Sequence, residues 1–325
     1  MRKNLILVHD PRYQSFGDME AICDGVARLN PQITALLAFN SLDNSRLKRR
    51  LSDLPTLVVS FTRLKTFQPA RGRVFQGRSI PKIEQMALLD RAGIPVPKIA
   101  LATPDLELDD ADWGEFIVRK PISPGFTSHG EGVQLMRADS YRFEDPSSYP
   151  EGHPGRSSQM VLQRYIHTGR KPTSYRVLTL FGEPLYCIYS TYQPSDIRLD
   201  LPDAELRKLV IATNASDRQR ELAAPADVLA LARRIHEAVP DVPLKGIDLI
   251  REEATGQLYC LEFNPGGNTW HFSSATSGAR RDLGGFLGFP PEVADAKGRD
   301  ALLAQFGGLQ TAARALADAT ETFAA

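Results

Sequence analysis

Residues Lys245–Ser274 read KGIDLIREEATGQLYCLEFNPGGNTWHFSS. Two short apolar runs, Gly246–Ile250 and Leu258–Phe263, flank a charged turn that contains Gly256. That spacing predicts a β-hairpin with a loop longer than two residues. Polar groups stand where strands usually carry apolar ones: Asp248 in the first run, Glu262 with Asn264 in the second. Side chains alternate along a strand, so Glu262 and Asn264 share a face. A turn centred on Thr255 puts Asp248 opposite Glu262, with their Cβ atoms roughly 4.5–5.5 Å apart. Two carboxylates and an amide oxygen so placed repel one another unless a cation lies between them. Hard oxygen ligands in that number suit Mg²⁺, with substrate phosphates and water completing the octahedron. An exposed sheet face with ordinary charges is the competing reading, and the residues upstream decide between the two.

A chain of 325 residues has room for one to three domains and an ample core. Apolar content of 42% and charged content of 24% place it among soluble globular proteins. The 39 basic and 39 acidic residues cancel, so the expectation is no nucleic-acid partner and no membrane partner. The local basic run Arg46–Arg50 reads as a solvated helix face. Cys23, Cys187 and Cys260 lie far apart in apolar patterns, as buried reduced thiols do in a cytoplasm, and not as a disulfide framework or zinc site. Arg2 and Lys3 precede LILV, but that run stops at His9–Asp10, too short for a signal-peptide core, and no stretch approaches transmembrane length. The expected location is cytoplasmic.

Leu5–Val8, Thr34–Phe39 and Thr56–Phe61 are short apolar strands, and Asp18–Leu29 spaces Met19, Ile22, Cys23, Val26 and Leu29 at helical intervals. A charged stretch between the second and third strands is expected to be helical. Strands alternating with helices predict a small open parallel α/β unit, which binds ligands beyond the carboxyl ends of its strands. His9, Asp10, Arg12 and Tyr13 follow the first strand and are substrate-site candidates, with a solvated loop as the alternative. Arg71–Ser79 reads as a strand and turn leading out of this unit.

A helix then opens near Pro81, carries Lys82 in its first turn and stops at Gly93. A cation there opposes the helix dipole, so Lys82 invites a functional explanation, reaching a phosphate, with a surface accident as the alternative. Phe116–Lys120 is a strand ending in lysine, followed by SPGFTSHGEG, where glycines let backbone N–H groups crowd round an anion. Neither the P-loop nor the dinucleotide fingerprint matches, and an ordinary hairpin loop fits that segment as well. Arg137–Gln159 is a polar excursion. Met160–Ile166, Tyr175–Phe181 and Pro184–Tyr192 resume strands, with Arg176 inside an apolar one, where it needs an anionic partner or a substrate anion. Pro225–Val239 is an amphipathic helix, a final Ala-rich helix covers about Leu309–Phe323, and the polar string around Asn214 has no evident role.

In this order the features resemble the ATP-grasp superfamily, of the D-alanine–D-alanine ligase and glutathione synthetase type. The resemblance rests on Lys82 before GIPVP, Lys120 in VRKP, the glycine loop, VLQRYI followed by YRV, and the GIDLI…LEFNP hairpin. It covers about Ser79–Ser274, and the whole chain once the N-terminal unit is counted. It implies a mixed α/β and α+β fold with a Rossmann-like open parallel sheet at the N-terminus. The implied division is residues 1–78, then an ATP-grasp domain 79–325 with a lid at about 96–160 and a metal- and substrate-binding part at about 161–325.

The resemblance also implies roles. Lys82 and Lys120 would lie on the phosphates of ATP, and Ser123, Gly125, Ser128, Gly130 and Gly132 of the glycine loop would fold over them. Gln163, Arg164, Tyr165 and Ile166 would form the hinge against adenine, with the backbone of Arg164 and Ile166 reading its edge. Family hinges often carry Glu where this chain has Gln163, whose carbonyl would accept from the adenine amino group. Asp248, Glu262 and Asn264 would hold Mg²⁺, or Mn²⁺ in its place. Arg176, with Lys120, would be catalytic, stabilising transferred phosphate or substrate. Gly266, Gly267, Trp270 and His271 would shape the acceptor side, although Trp270 could equally fill the core. The implied reaction is ADP-forming ligation: a carboxylate is phosphorylated to an acyl phosphate, which an amine then attacks. Partners would be a small carboxylate and an amine of amino-acid or peptide type, and the family's habit allows a homodimer. A small-molecule kinase and a non-catalytic nucleotide-binding module are the alternatives.

Overall fold

A continuous apolar strand needs cover on both faces, and the first part of the chain meets that need with a parallel sheet. The computed structural model describes residues 1–40, 54–65, 72–122, 132–193, 196–211 and 216–325. Strands β1 (Lys3–His9), β2 (Ile33–Phe39), β3 (Thr56–Ser60) and β4 (Arg73–Gln76) lie in the order β2-β1-β3-β4, all pairs parallel. This is the open α/β unit expected, with β4 joining it at the edge instead of leading out of it. The first helix runs Phe16–Leu29, and Ser15 caps it by accepting a bond from the Asp18 N–H. The charged stretch between β2 and β3, with the Arg46–Arg50 run, lies mostly outside the described residues.

Residues 1–78 pack one face of their sheet by themselves, where Ile6, Val8, Ala38 and Val58 meet, and share the core on the other face. One core joins Leu5, Met19 and Val59 to Leu180, Trp270 and Leu316. The late helix Gly308–Phe323 packs on Phe16–Leu29 so closely that a Cβ on Gly25 would stand 2.7 Å from Ala313 Cβ. The termini of this layer are tied together as well. Lys3 Nζ donates to Glu321 Oε2 at 2.8 Å, and the Thr56 N–H donates to the Ala325 carbonyl at 3.0 Å.

Two antiparallel sheets make up the rest. The first holds β5 (Ile99–Leu101), β6 (Phe116–Ile122), β7 (Gln134–Arg137) and β8 (Gln159–Arg164) in the order β5-β8-β6-β7. The second holds β9 (Thr173–Leu180), β10 (Glu183–Tyr192), β11 (Arg218–Leu222), β12 (Leu244–Arg251) and β13 (Leu258–Asn264) in the order β11-β10-β9-β12-β13. Phe181 and Gly182 turn β9 into β10 with φ of 48° and 85°, the sign that a type I′ turn requires at both central residues. Helix Ala226–Ala238 covers one face of this sheet, where Val228, Leu231 and Ile235 meet Val177, Cys187, Ile247 and Leu249. Alternation then sends the intervening polar residues to the other face, which looks toward the four-stranded sheet. The three cysteines are free and buried. Among the described residues no helix is long and apolar enough to cross a membrane.

Candidate active site

Three adjacent strands carry a row of charges on the open face of the five-stranded sheet. Asp248 on β12 pairs with Arg176 on β9 to one side and with Glu262 on β13 to the other. The hairpin register is as expected, but a bulge produces it. Leu249 faces Cys260 and Asp248 faces Glu262, so Leu261 is the extra residue. Without that bulge Asp248 would face Leu261 and the two carboxylates would part. Arg176 donates to Asp248 from both Nε and Nη2, the latter at 2.7 Å. Asn264 Nδ2 donates to Asp248 Oδ2 at 3.3 Å, which leaves its amide oxygen on the same corner. Lys82, the first residue of helix Lys82–Arg91, donates to Glu262 Oε2 at 2.7 Å. Gln85 ties that helix to the hairpin by accepting from the Phe263 N–H at 3.1 Å.

The electrostatics follow from burial and from these pairings. Lys82 holds the Glu262 carboxyl down at about 2, against the upward push of burial. Burial works against the Lys82 charge, but Glu262 outweighs it and the lysine value rises. Asp248 is raised by burial, which the Arg176 guanidinium only partly cancels, so it would gain from a second cation. Lys120, from β6 of the opposite sheet, ends beside Lys82; burial and then the Lys82 charge push it well below the ordinary lysine value. An anion at that point would favour the charged form of both lysines.

These residues line one cavity of about 310 Å³ between the two antiparallel sheets, shared by Lys82, Lys120, Arg176, Asp248 and Glu262 with the segment Gln163–Ile166. Among the described residues no group of three or more His, Cys, Asp or Glu is placed to hold a metal ion. Two carboxylates and an amide oxygen, each carboxylate already facing a cation, fit a hard divalent ion that draws its remaining ligands from phosphate and water.

At the hinge, Gln163 Oε1 accepts from Lys120 Nζ, so Gln163 positions the lysine and keeps its second lone pair for another donor. The Arg164 N–H donates to the Lys98 carbonyl at 2.8 Å and cannot read a purine edge. The buried Ile166 lies beyond the end of β8, and its N–H has no acceptor among the described residues. Ser123, Gly125, Ser128 and Gly130 lie outside the described residues; Gly132 is described, at φ 72°.

On the acceptor side the four candidates separate. Trp270 is fully buried, stacks on Phe61 at 5.1 Å and donates from Nε1 to Asp18 Oδ2 at 2.8 Å. It is a core residue and has no surface to offer a substrate. Gly267 faces protein: a Cβ there would come within 2.5 Å of Gln14 Nε2 and 2.8 Å of Tyr13 Cβ. Gly266 looks onto open space. His271 stacks on Tyr186 at 5.5 Å, shares a hydrogen bond with Ser277 Oγ at 2.7 Å, and is held neutral by burial and by Arg176, Arg220, Arg280 and Arg218. In the β1 loop, His9 is buried and Asp10 accepts from Arg12 Nη2 at 2.6 Å, so that loop is folded in on itself.

Arg218 and Arg220 were not legible as site residues. They sit on β11, whose sequence RQREL lacks an apolar run, although its alternation puts both arginines and Leu222 on one face. Register carries that face across β10 to Arg176: Leu222 pairs with Ile188, and Ile188 with Arg176.

No family model and no curated protein sequence matches the chain. Solved structures do. The D-cycloserine synthetase DcsG is similar at 17% identity and a TM-score of 0.49, covering 97% of this chain and 99% of that one. The D-alanine–D-alanine ligase of Bacillus anthracis is similar at 15% identity and a TM-score of 0.46, covering 99% of each chain. The ATP-grasp ligase PsnB, complexed with a minimal precursor, is similar at 15% identity and a TM-score of 0.45, covering 94% of this chain and 100% of that one.

Proposed function

We propose that the chain is an ADP-forming ligase that activates a carboxylate with ATP and passes the acyl group to an amine. One observation supports this above the others: Lys82 and Lys120, from opposite sides of the cavity, meet beside the row Arg176–Asp248–Glu262. Five basic side chains line the cavity, Lys82, Lys120, Arg164, Arg176 and Arg218, against the carboxylates of Asp248 and Glu262, so it favours a polyphosphate.

In this reading Lys82 and Lys120 hold the phosphates, and the Ile166 N–H donates to the purine. A divalent ion on Asp248, Glu262 and Asn264 would supply charge neutralisation at the phosphate oxygens. Arg176, paired with Asp248 in the structure, is the guanidinium that would turn to the carboxylate of the acid substrate. An oxygen of the acid attacks the γ-phosphorus, and the bond to the ADP oxygen breaks. The resulting mixed anhydride is a carbonyl with a good leaving group. The amine adds at its carbon, the C–O bond to phosphate breaks, and the amine proton passes to solvent, leaving an amide. No side-chain nucleophile is needed; the residues supply position and charge.

The test is ADP and phosphate release on adding an acid and an amine together. Turnover is expected to need both, and to fall at least about a thousandfold, or ~4 kcal/mol, in Glu262→Ala. A protein that binds ATP but answers to no acid–amine pair across the amino acids and short peptides would sink the ligase reading.

A further inference from the structure

The excursion between β7 and β8 plays no part in the nucleotide reading. It folds back over the sheet face opposite the cavity described above, where Tyr141 packs with Trp113, Ile117 and Leu162. Past that cluster a second cavity of about 350 Å³ opens, walled by Tyr141, Phe143 and Tyr149 of the excursion and by Leu101 and Met160 of the sheet. That is room for a small organic molecule.

Its charges come from Arg119, Glu144 and Arg156. Arg119 is next to Lys120 in β6, so its side chain leaves the opposite face of the strand. The side chain is only 5% exposed and lies among aromatic rings, with its guanidinium 5.5 Å from the Tyr149 ring centre. Nη2 donates to Gln134 Oε1 at 2.6 Å and Nη1 to Glu144 Oε2 at 2.8 Å. Nε, buried in the same wall, has no acceptor among the described residues. Arg156 stands at the rim, donates from Nη1 to the Tyr149 carbonyl at 3.3 Å, and is in no ion pair among the described residues.

Glu144 answers Arg119, so the Arg156 guanidinium is the charge left unmatched, at the rim of an aromatic-walled cavity. We propose that this cavity binds a small monocarboxylate with an apolar, ring-sized body. The carboxylate lies against Arg156 and the Arg119 edge, and the body lies between Phe143, Tyr149 and Met160. Glu144 repels a second negative charge, so phosphate and dicarboxylates are poor ligands. The site is separated from the nucleotide cavity by the thickness of one sheet and does not depend on the ligase reading.

Titration calorimetry on the full chain with sodium benzoate and 3-phenylpropionate tests this. Both acids are expected to bind and the neutral amide benzamide not to. The exposed Arg156→Gln should weaken binding about tenfold or more, a difference of ~1.4 kcal/mol. Glu144→Gln should leave binding unchanged or tighten it, and Lys82→Met, which alters only the nucleotide cavity, should leave it unchanged. Failure of both acids to bind, equal binding of benzamide, or full affinity in Arg156→Gln would overturn the proposal. So would weaker binding in Glu144→Gln, which would mean that Glu144 holds a ligand cation. Loss of binding in Lys82→Met would overturn it too, by locating the acid in the other cavity.

Discussion

Two strand lysines in this protein, Lys120 and Lys245, are both pushed below the ordinary lysine value, and burial is the first cause for each. Their surroundings differ. Lys245 is fully buried, with Nζ 2.8 Å from His236 Nδ1 and donating to the Val242 carbonyl at 2.5 Å, partners from the helix and turn just before its own strand. Lys120 meets Lys82 from another element and Gln163 from another strand, and it opens on a cavity that also holds two carboxylates. A lowered lysine is therefore not by itself a sign of function. Convergence of opposite charges from separate elements on an open space is the better sign.

The largest expected effect isolates the lysine that has no cavity. Lys245 falls to about 7 in the folded protein, against 10.5 when exposed. Between those values the unfolded chain binds the extra proton, so stability rises with pH across the window, by roughly 5 kcal/mol from this group. Urea unfolding of wild type and Lys245→Met across that window should give curves that converge toward high pH, and parallel curves would mean that Lys245 stays charged. The next effect belongs to the lysine that has one. Lys120→Met should cost about a hundredfold in kcat/KM for ATP, ~2.7 kcal/mol, with no loss of Tm. A large drop in Tm with kcat/KM intact would make Lys120 the structural member of the pair. The smallest concerns the arginines of β11. Arg220→Gln should raise KM for the acid about tenfold while leaving KM for ATP alone, and should move the His271 titration upward by NMR, because one of the charges that hold it neutral is gone. An unmoved His271 would disconnect Arg220 from the acceptor side.

What could be read in advance depended on how local the cause was. The β12–β13 hairpin, the helix that begins at Lys82 and the face shared by Glu262 and Asn264 follow from period and turn chemistry within short stretches. The opposition of Asp248 and Glu262 was expected from a turn at Thr255, yet a bulge at Leu261 sets it, and nothing in the composition of that strand announces a bulge. Trp270 is core because Asp18, far away in the chain, receives its indole N–H. Gln163 serves Lys120 because β6 and β8 pair in the register that puts Val118 beside it. β11 went unread because an edge strand with one open face needs little apolar residue content. Partners chosen by long-range packing do not show in a local pattern.

The helix Gly308–Phe323 also bears on how the protein is made. It lies against Phe16–Leu29 and shares a core with β1 and β3. A ribosome delivers the parallel strands early and this helix after every other element described, so the first sheet leaves the exit tunnel with an apolar flank uncovered. Until that helix arrives, the nascent chain carries an apolar sheet flank without its cover, and contacts so far apart in sequence form slowly.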